Sequence, residues 1–169
     1  MWVLFRIRFF MLVWGVPFLL CACGENGDDG SATRRRAPDF ALKALDGGTL
    51  RLDDLRGKVV LVNFFATWCS PCRQEVPDFI RLRKQFVDEG FEIVGIGLDM
   101  EGAAVLEPFV RHFRIPYPVV IGTREVVTEY GGIEGVPTTF FVDREGFIAG
   151  RVIGLVPWER LKQTVETLL

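Results

Sequence analysis

The stretch VVLVNFFATWCSPCRQEVP, residues 59–77, contains the strongest structural signals of the chain. It opens inside KVVLVNFF, residues 58–65, a nearly unbroken β-branched and aromatic run that is typical of a strand buried on both faces of a mostly parallel sheet. Pro71 suits the first turn of a helix, and the apolar residues that follow recur at intervals of three, four and seven. The stretch therefore predicts that Cys69 and Cys72 lie where a strand ends and a helix begins.

The rest of the chain alternates between strand and helix patterns from Ala37 onward. The predicted elements are a helix that stops near Gly90, a buried strand over 91–98, a helix with an apolar stripe over 106–113, a strand around 118–121, a helix over 126–130, a hairpin of 138–143 with 147–154, and a helix over 158–169. Together they predict one three-layer α/β domain with a mixed central sheet and flanking helices, spanning residues 37–169.

The composition fits a single domain and argues against one class of partner. The chain has 169 residues, of which 49% are hydrophobic, enough for one core but too few for two comfortable ones. Its formal charge is -2, and no basic stripe is interleaved with aromatic residues. We therefore expect no nucleic-acid partner.

The N-terminal segment resembles an export signal. Arg6 and Arg8 precede the apolar run FFMLVWGVPFLL, which has the length of a signal-peptide core. The run falls short of the ~20 residues that a membrane-spanning helix needs. The tetrad LCAC that follows, residues 20–23, resembles a bacterial lipobox whose last cysteine is lipidated, with Cys21 as a departure at its middle position. Cys23 is the predicted lipid acceptor.

These features predict an exported, tethered domain. Residues 1–22 are the predicted export signal of lipoprotein type, and the polar segment 23–36 is the predicted flexible tether between a lipid on Cys23 and the domain. Its last three residues, Arg34 to Arg36, are expected to be solvated or to touch anionic headgroups. An uncleaved anchor or an ordinary secretory signal is the alternative. We expect the domain at the extracytoplasmic face of a bacterial cell envelope.

Three kinds of chemistry compete for Cys69 and Cys72. A structural zinc site needs two further thiolates or imidazoles, but the other cysteines lie in the export segment and His112 is the only histidine, so we expect no metal. A structural disulfide would close too short a loop to stabilise the fold much. A redox-active dithiol remains the favoured interpretation, with no cofactor beyond the disulfide itself.

The position of the pair suits redox chemistry. A helix N-terminus lowers the pKa of a thiol, so Cys69, at the exposed end, is expected to attack the disulfide of a partner as a thiolate. Cys72 lies one turn deeper and is expected to resolve the mixed disulfide.

The pair and its surroundings resemble the active-site signature of the thioredoxin superfamily. WCSPC is preceded by VLVNFFAT and followed by RQEVP, and residues 37–58 are similar to the lead-in of redoxin-type domains. More narrowly, the chain resembles the membrane-tethered TlpA/ResA-like thiol-disulfide oxidoreductases. The resemblance covers the chain from Ala37 to the C-terminus. It implies a thioredoxin-like fold with an N-terminal hairpin and an inserted strand-helix unit around residues 91–113.

The resemblance also implies roles for residues outside the pair. In the family, the loop that corresponds to residues 135–138 carries a cis-proline that faces the dithiol, so Pro137 is expected to be cis. The backbone at Val136 is then expected to pair with an extended segment of the substrate. Trp68 and Pro71 are expected to contact the substrate beside the nucleophile, and Pro71 helps to set the reduction potential.

Proton transfer at the dithiol is an open question in the sequence. Thioredoxin itself has a buried aspartate at the position of Asn63, which cannot carry a proton. The residues alone favour an exposed carboxylate at a helix N-terminus for Glu75, which follows Cys72 by one helical turn. The resemblance favours a role in the reaction, because Glu75 matches an active-site glutamate of the ResA-like branch. We expect Glu75 to exchange a proton with the dithiol, and we expect His112 to be structural or solvated.

The resemblance implies a reductase of disulfides in exported proteins, such as the haem-binding cysteines of apocytochrome c, with electrons from a membrane thiol carrier and a lipid anchor in the membrane. An oxidant of exported thiols is the alternative within the same chemistry. Copper-delivering modules of the same fold have a wider cysteine spacing and a distant histidine ligand, and peroxide-reducing enzymes have a single cysteine preceded by proline and threonine. The chain has neither pattern.

Overall fold

A computed structural model describes residues 34–169. The strands and helices, in chain order, are β1 (Ala41–Lys43), β2 (Thr49–Arg51), β3 (Val59–Phe65), α1 (Ser70–Phe86), β4 (Phe91–Gly97), α2 (Ala103–Phe113), β5 (Val119–Ile121), α3 (Arg124–Glu129), β6 (Thr138–Val142), β7 (Ile148–Ile153) and α4 (Trp158–Leu168). Two short 3-10 helices, Leu52–Leu55 and Val87–Glu89, follow β2 and α1. The predicted export signal, the acceptor Cys23 and most of the predicted tether lie outside the described residues. Within residues 34–169, no helix has the length and apolar character to cross a membrane.

The central sheet is mixed, as the alternating pattern predicts. Its strand order is β5-β4-β3-β6-β7. The first three strands are parallel to one another, whereas β6 runs antiparallel to β3, and β7 runs antiparallel to β6. The predicted hairpin at residues 138–154 is therefore confirmed as β6 and β7. Because β3 lies at the centre, its carboxyl end reaches the middle of one edge of the sheet.

The N-terminal hairpin and the strand-helix unit expected from the family resemblance are both present. β1 and β2 form a separate antiparallel hairpin, which joins the main sheet through a bridge from Ala44 to Val120 beside β5. The region 91–113 contains β4 and α2. β4 is not peripheral, because it pairs with β3 along all seven of its residues.

Both faces of the sheet are covered, so the central strands are buried on either side. All seven residues of β3 and all seven of β4 are buried. On one face, α1, α2 and α4 pack on alternate residues of β3 such as Leu61 and Phe65. On the other face, the N-terminal segment and α3 pack on Val62 and Phe64. Each such side chain contributes roughly 1.5–3 kcal/mol through burial, which holds the strand ends in fixed positions.

The last three residues of the predicted tether contact the folded domain in the structure. Arg34 forms an ion pair with Asp143, and the guanidinium groups of Arg34 and Arg36 lie 4.7 and 4.9 Å from the ring centroid of Phe147. Arg36 and Phe147 also form an antiparallel bridge, and the amide of Ile148 donates to the carbonyl of Arg35 at 2.8 Å. All three arginines are exposed, as the polar composition of the triplet predicts. Their contacts with residues 143–148 were not predicted, because these partners lie more than a hundred residues further along the chain.

Candidate active site

The two cysteines lie at the junction of β3 and α1, as the sequence predicts. β3 ends at Phe65, and Cys69 is the N-cap residue of α1, with Pro71 in the first turn. Cys69 and Cys72 form a disulfide, and their Cα atoms are 5.3 Å apart. The backbone N–H of Cys72 donates to the Sγ atom of Cys69 at 3.2 Å. The junction therefore places a helix N-terminus directly against the sulfur of Cys69.

This arrangement favours negative charge on Cys69. The first N–H groups of a helix have no intrahelical acceptor, and the N–H of Cys72 points at the Cys69 sulfur. The helix dipole acts in the same direction. When the disulfide is reduced, these groups stabilise a thiolate on Cys69, which makes it the better nucleophile of the pair.

Cys69 is less accessible than its predicted place at the exposed end of the site suggests. It is 4% exposed and Cys72 is 2% exposed, so the two differ little. The cause is the loop before β6, because the Sγ atom of Cys69 lies 3.5 Å from the carbonyl oxygen of Val136. This loop is distant from Cys69 in the sequence, so the residues around Cys69 do not predict that it covers the sulfur.

The loop that covers Cys69 has the conformation expected of it. The peptide bond between Val136 and Pro137 is cis. The hydroxyl of Thr138 donates to the carbonyl of Gly135 at 2.7 Å, and the amide of Gly154 donates to the carbonyl of Pro137 at 2.7 Å. These two bonds attach the loop to itself and to the end of β7, and so hold Val136 against the dithiol.

Two further residues expected to contact the substrate are accessible beside the pair. Trp68 is 75% exposed, although it is among the largest apolar side chains in the chain. Pro71 is also exposed. Both lie within three residues of Cys69 and are accessible from the solvent.

Glu75 is buried, and the alternative of an exposed first-turn carboxylate is wrong. Glu75 is 1% exposed. The side-chain amide of Asn63, on β3, donates to Oε1 of Glu75 at 2.9 Å and to the hydroxyl oxygen of Thr139, on β6, at 3.1 Å. The second carboxyl oxygen, Oε2, is buried and has no hydrogen-bond partner among residues 34–169. Glu75 thus lies one turn after Cys72 on the inner side of α1.

Burial raises the pKa of Glu75 to about 7, an effect that the hydrogen bond from Asn63 partly offsets. A carboxyl group with this pKa is protonated in a fraction of the molecules and ionised in the rest near neutral pH. It can therefore accept or donate a proton under the conditions in which thiols exchange. The same burial makes this group a strong candidate for a functional residue.

The structure gives a function to Asn63 that the sequence analysis did not predict. Asn63 does not carry a proton itself, but it holds the carboxyl group that does. A signal for it was present in the sequence, because Asn63 is the one polar residue within an otherwise apolar buried strand. A buried amide of this kind needs hydrogen-bond partners, which β6 and α1 supply.

Asp99 is a second residue that the sequence analysis missed. It follows β4, is buried, and accepts hydrogen bonds from both the amide and the hydroxyl of Thr67, the latter at 2.6 Å. Thr67 lies two residues before Cys69, so Asp99 holds the start of the active-site loop. Its signal in the sequence was an acidic residue at the carboxyl end of a parallel strand, where the sites of such sheets form.

His112 lies on the exposed side of α2, where its ring contacts the edge of the Phe113 ring. Among residues 34–169, no three histidine, cysteine or acidic side chains are grouped so that they could hold a metal ion.

Comparison with known proteins agrees with this site. The model of the AhpC/TSA family matches residues 33–151. The chain belongs to this family. Its relatives include the thiol-disulfide oxidoreductase ResA of Geobacillus thermodenitrificans, which is 36% identical over 78% of this chain and 75% of that protein. They also include the thioredoxin-like protein YneN of Bacillus subtilis, which is 33% identical over 95% of this chain and 94% of the relative.

A solved structure of a thioredoxin family protein has the same fold. The thiol:disulfide interchange protein of Chlorobium tepidum superposes with a TM-score of 0.75 at 34% identity, over 81% of this chain and 97% of that one. The fold is therefore thioredoxin-like. With the Cys69–Cys72 pair at the head of α1, this family member is an enzyme, a thiol-disulfide oxidoreductase.

Proposed function

We propose that the enzyme works outside the cytoplasm and reduces disulfides of exported proteins, for example the haem-binding cysteines of apocytochrome c. The observation that carries the exchange chemistry is the Cys69 sulfur at the N-terminus of α1, with the N–H of Cys72 donating to it and Val136 against it. The predicted signal over residues 1–22 supports the extracytoplasmic location. A lipid on Cys23 would hold the enzyme at the envelope membrane.

The first step of the proposed reaction joins enzyme and substrate. In the reduced enzyme, the Cys69 thiolate attacks one sulfur of the substrate disulfide. A bond forms between this sulfur and Cys69, the substrate S–S bond breaks, and its second sulfur leaves as a thiolate that takes up a proton. Trp68, Pro71 and the backbone at Val136 would position the substrate for this attack.

The second step releases the product. Cys72 loses its proton and attacks the Sγ atom of Cys69, so that the Cys69–Cys72 disulfide forms, the bond between Cys69 and the substrate breaks, and the first substrate sulfur leaves as a thiolate that takes up a proton. In total, two electrons pass from the enzyme to the substrate, and the two substrate sulfurs take up two protons, one released by Cys72 and one from the solvent. Glu75 would accept the proton of Cys72 when its carboxyl group is ionised, since the two residues lie one turn apart on the buried side of α1.

The enzyme then needs a source of electrons, because an extracytoplasmic compartment is oxidising. A membrane thiol carrier would reduce the Cys69–Cys72 disulfide by the same exchange in the opposite direction. A lipid anchor would raise the concentration of the enzyme near this carrier. Substrate proteins, the carrier and the membrane are thus the proposed partners.

The reduction potential of the Cys69–Cys72 couple tests the direction of transfer. We would equilibrate the protein in defined thiol-disulfide buffers and count free thiols by mass after alkylation. A value at or below about -250 mV supports a reductase that depends on a membrane electron source. A value near -120 mV, roughly that of a strong oxidant, would instead make the enzyme an oxidant of exported thiols and would reject the apocytochrome c proposal.

Mass spectrometry of the chain extracted from membranes tests the location. We expect a lipid on Cys23 as the first residue of the mature chain, and we expect Cys23→Ala to release the protein from the membrane fraction. Copper titration addresses the alternative class, because a copper-delivering module would bind the ion stoichiometrically.

A further inference from the structure

The reaction steps above use only Trp68 among the residues that line an open groove beside the dithiol. Its volume is about 410 Å³, and it lies between the active-site loop, the first turn of α1 and the outer side of α2. We name it the Trp68 groove. Its walls are mainly apolar or aromatic, and include Trp68, Val105, Pro108 and Phe113. Because Thr67 and Trp68 line it, the groove lies next to the nucleophile Cys69 in the chain, although Cys69 itself is not one of its lining residues.

The apolar walls of the Trp68 groove are accessible. Trp68 and Pro108 are exposed, and Val105 and Phe113 are half-buried. Exposed aromatic surface of this kind next to a reactive sulfur is typical of a binding site rather than of a core. The volume is at the small end of the roughly 300–1,000 Å³ that ligand sites occupy, which suits one or two side chains of a polypeptide.

The groove is also cationic. Of the residues that the structure describes, 34–169, Arg73 and His112 are the basic ones that line the groove, and none of its lining residues is acidic. The guanidinium group of Arg73 lies 5.7 Å from the ring centroid of Phe113, and within residues 34–169 it forms no ion pair. Arg111, on α2, is by contrast paired with Glu107. Arg73 thus presents an uncompensated positive charge at the groove, one residue after Cys72.

We infer that the Trp68 groove selects the substrate by the residues that flank its disulfide, and that it prefers an aromatic side chain next to an acidic one. The aromatic ring packs against Trp68 and Phe113, while the carboxylate pairs with Arg73. This inference rests on the proposed dithiol exchange with protein substrates, because the substrate disulfide must reach Cys69 before its neighbours can enter the groove. The aromatic stacking and the exposed ion pair both act while Cys69 attacks the substrate disulfide, and both lower the free-energy barrier of that attack.

The experiment compares three disulfide-bridged peptides that differ only in the two residues beside one cysteine: Phe-Glu, Phe-Lys and Ser-Glu. We would measure the second-order rate constant for reduction of each by the reduced protein. For Phe-Glu against Phe-Lys we expect about a 2- to 5-fold preference, the size expected of an exposed ion pair. For Phe-Glu against Ser-Glu we expect about a 2- to 10-fold preference from aromatic stacking.

Arg73→Glu tests the charge directly. This change also places a negative charge near Cys69 and so alters the reactivity of that thiol. The altered reactivity affects both peptides alike, so it cancels in the ratio of their rate constants. We expect R73E to reverse the preference, so that Phe-Lys reacts faster than Phe-Glu. The matched control is Lys84→Glu, which makes the same change of charge on the same helix about 16 Å further along its axis. We expect K84E to retain the wild-type ratio.

A small neutral disulfide, hydroxyethyl disulfide, separates the two proposals. Its reduction together with equal rates for all three peptides would overturn the groove inference and leave the exchange chemistry intact. Failure to reduce any disulfide would overturn the proposed function and the groove inference with it. If the ratio of the Phe-Glu and Phe-Lys rate constants were unchanged in R73E, Arg73 would have no part in selecting the substrate.

Discussion

The buried carboxyl group of Glu75 is expected to make the chemistry of the dithiol depend on pH. It is buried on the inner side of α1, receives one hydrogen bond from Asn63, and leaves Oε2 without a partner among residues 34–169. A fully ionised carboxylate with one free oxygen is costly in such a place, which is why burial raises the pKa to about 7. Two measurable consequences follow, one for the rate and one for the stability.

Glu75→Gln should change the pH dependence of the resolving step. In the wild type, ionisation of Glu75 near pH 7 makes a base available to Cys72, so the rate constant for release of the mixed disulfide should rise through that pH. In E75Q this inflection should be absent. Stopped-flow measurement of release from a mixed disulfide on Cys69 would show it. Asp88→Asn, which removes an exposed carboxylate at the other end of the helix, is the control and should behave as the wild type.

Glu75 should also make the free energy of unfolding depend on pH. Its pKa is about 7 in the folded protein against 4.5 for the free group, so the folded state binds the proton more tightly. The stability that this tighter proton binding provides is fully present below pH 4.5, and it is lost as the pH rises through about 7. Between about pH 5 and about pH 8, this loss amounts to about 2–3 kcal/mol.

E75Q should not show this loss, because glutamine does not titrate. The difference between wild type and E75Q in the urea-derived free energy of unfolding should therefore change with pH, in favour of the variant at the higher pH. Both proteins would be measured in the disulfide form. A constant difference across this range would mean that the buried carboxyl group has an ordinary pKa.

At the level of secondary-structure elements, the site depends on where β3 and β4 end and on where β6 begins. β3 leads into the active-site loop, β4 leads to Asp99, and β6 begins beside Pro137. The loop before Cys69 has no regular structure of its own, so the carboxylate of Asp99 supplies the acceptor for its amide and hydroxyl groups. Parallel pairing of β3 with β4 brings the two carboxyl ends together.

Asp99→Ala should therefore loosen the active-site loop. Thr67 is half-buried and would lose its acceptor, and a hydrogen bond to a charged group contributes roughly 1.5–3 kcal/mol. We expect the urea midpoint to fall and the rate of the first attack to fall with it. Asp99→Asn keeps one acceptor oxygen and should recover part of both losses. Equal stability of D99A and the wild type would show that water replaces the carboxylate at no cost.

For the whole molecule, the described chain begins with a segment held against the β6–β7 turn. Arg34 and Arg36 lie over the ring of Phe147, and Arg34 pairs with Asp143. This turn lies at the opposite end of β6 from Pro137, so the segment enters the domain at the end of the sheet away from the dithiol. The site stays clear of the point at which the predicted tether arrives.

Phe147→Ala should release this segment. Trypsin cuts after arginine only where the backbone is free, so we expect faster cleavage after Arg35 and Arg36 in F147A, measured by mass spectrometry of timed digests. The remaining domain should stay intact over the same period. Leu155→Ala, which removes another exposed apolar side chain, is the control and should leave this cleavage unchanged. Equal cleavage in F147A and the wild type would show that the ring does not hold the segment.

Local patterns in the sequence were sufficient to predict the order of the elements and the position of the dithiol. The run over 58–65, the helix start at Pro71 and the hairpin over 138–154 each follow from the preferences of neighbouring residues. The cis bond before Pro137 was expected from the family resemblance rather than from such preferences. Between them, these signals located the strand end, the helix start and the covering loop.

The environment of each side chain, in contrast, came from packing. Glu75 has the same local sequence whether it is exposed or buried, and its burial depends on the sheet beneath α1. Asn63, Thr139 and Asp99 meet their partners across 12 to 76 residues of chain. A pKa or a hydrogen-bond partner depends on every group that the fold brings within a few ångströms. Local preferences shape the backbone of each segment, but they do not specify which distant segments will surround it.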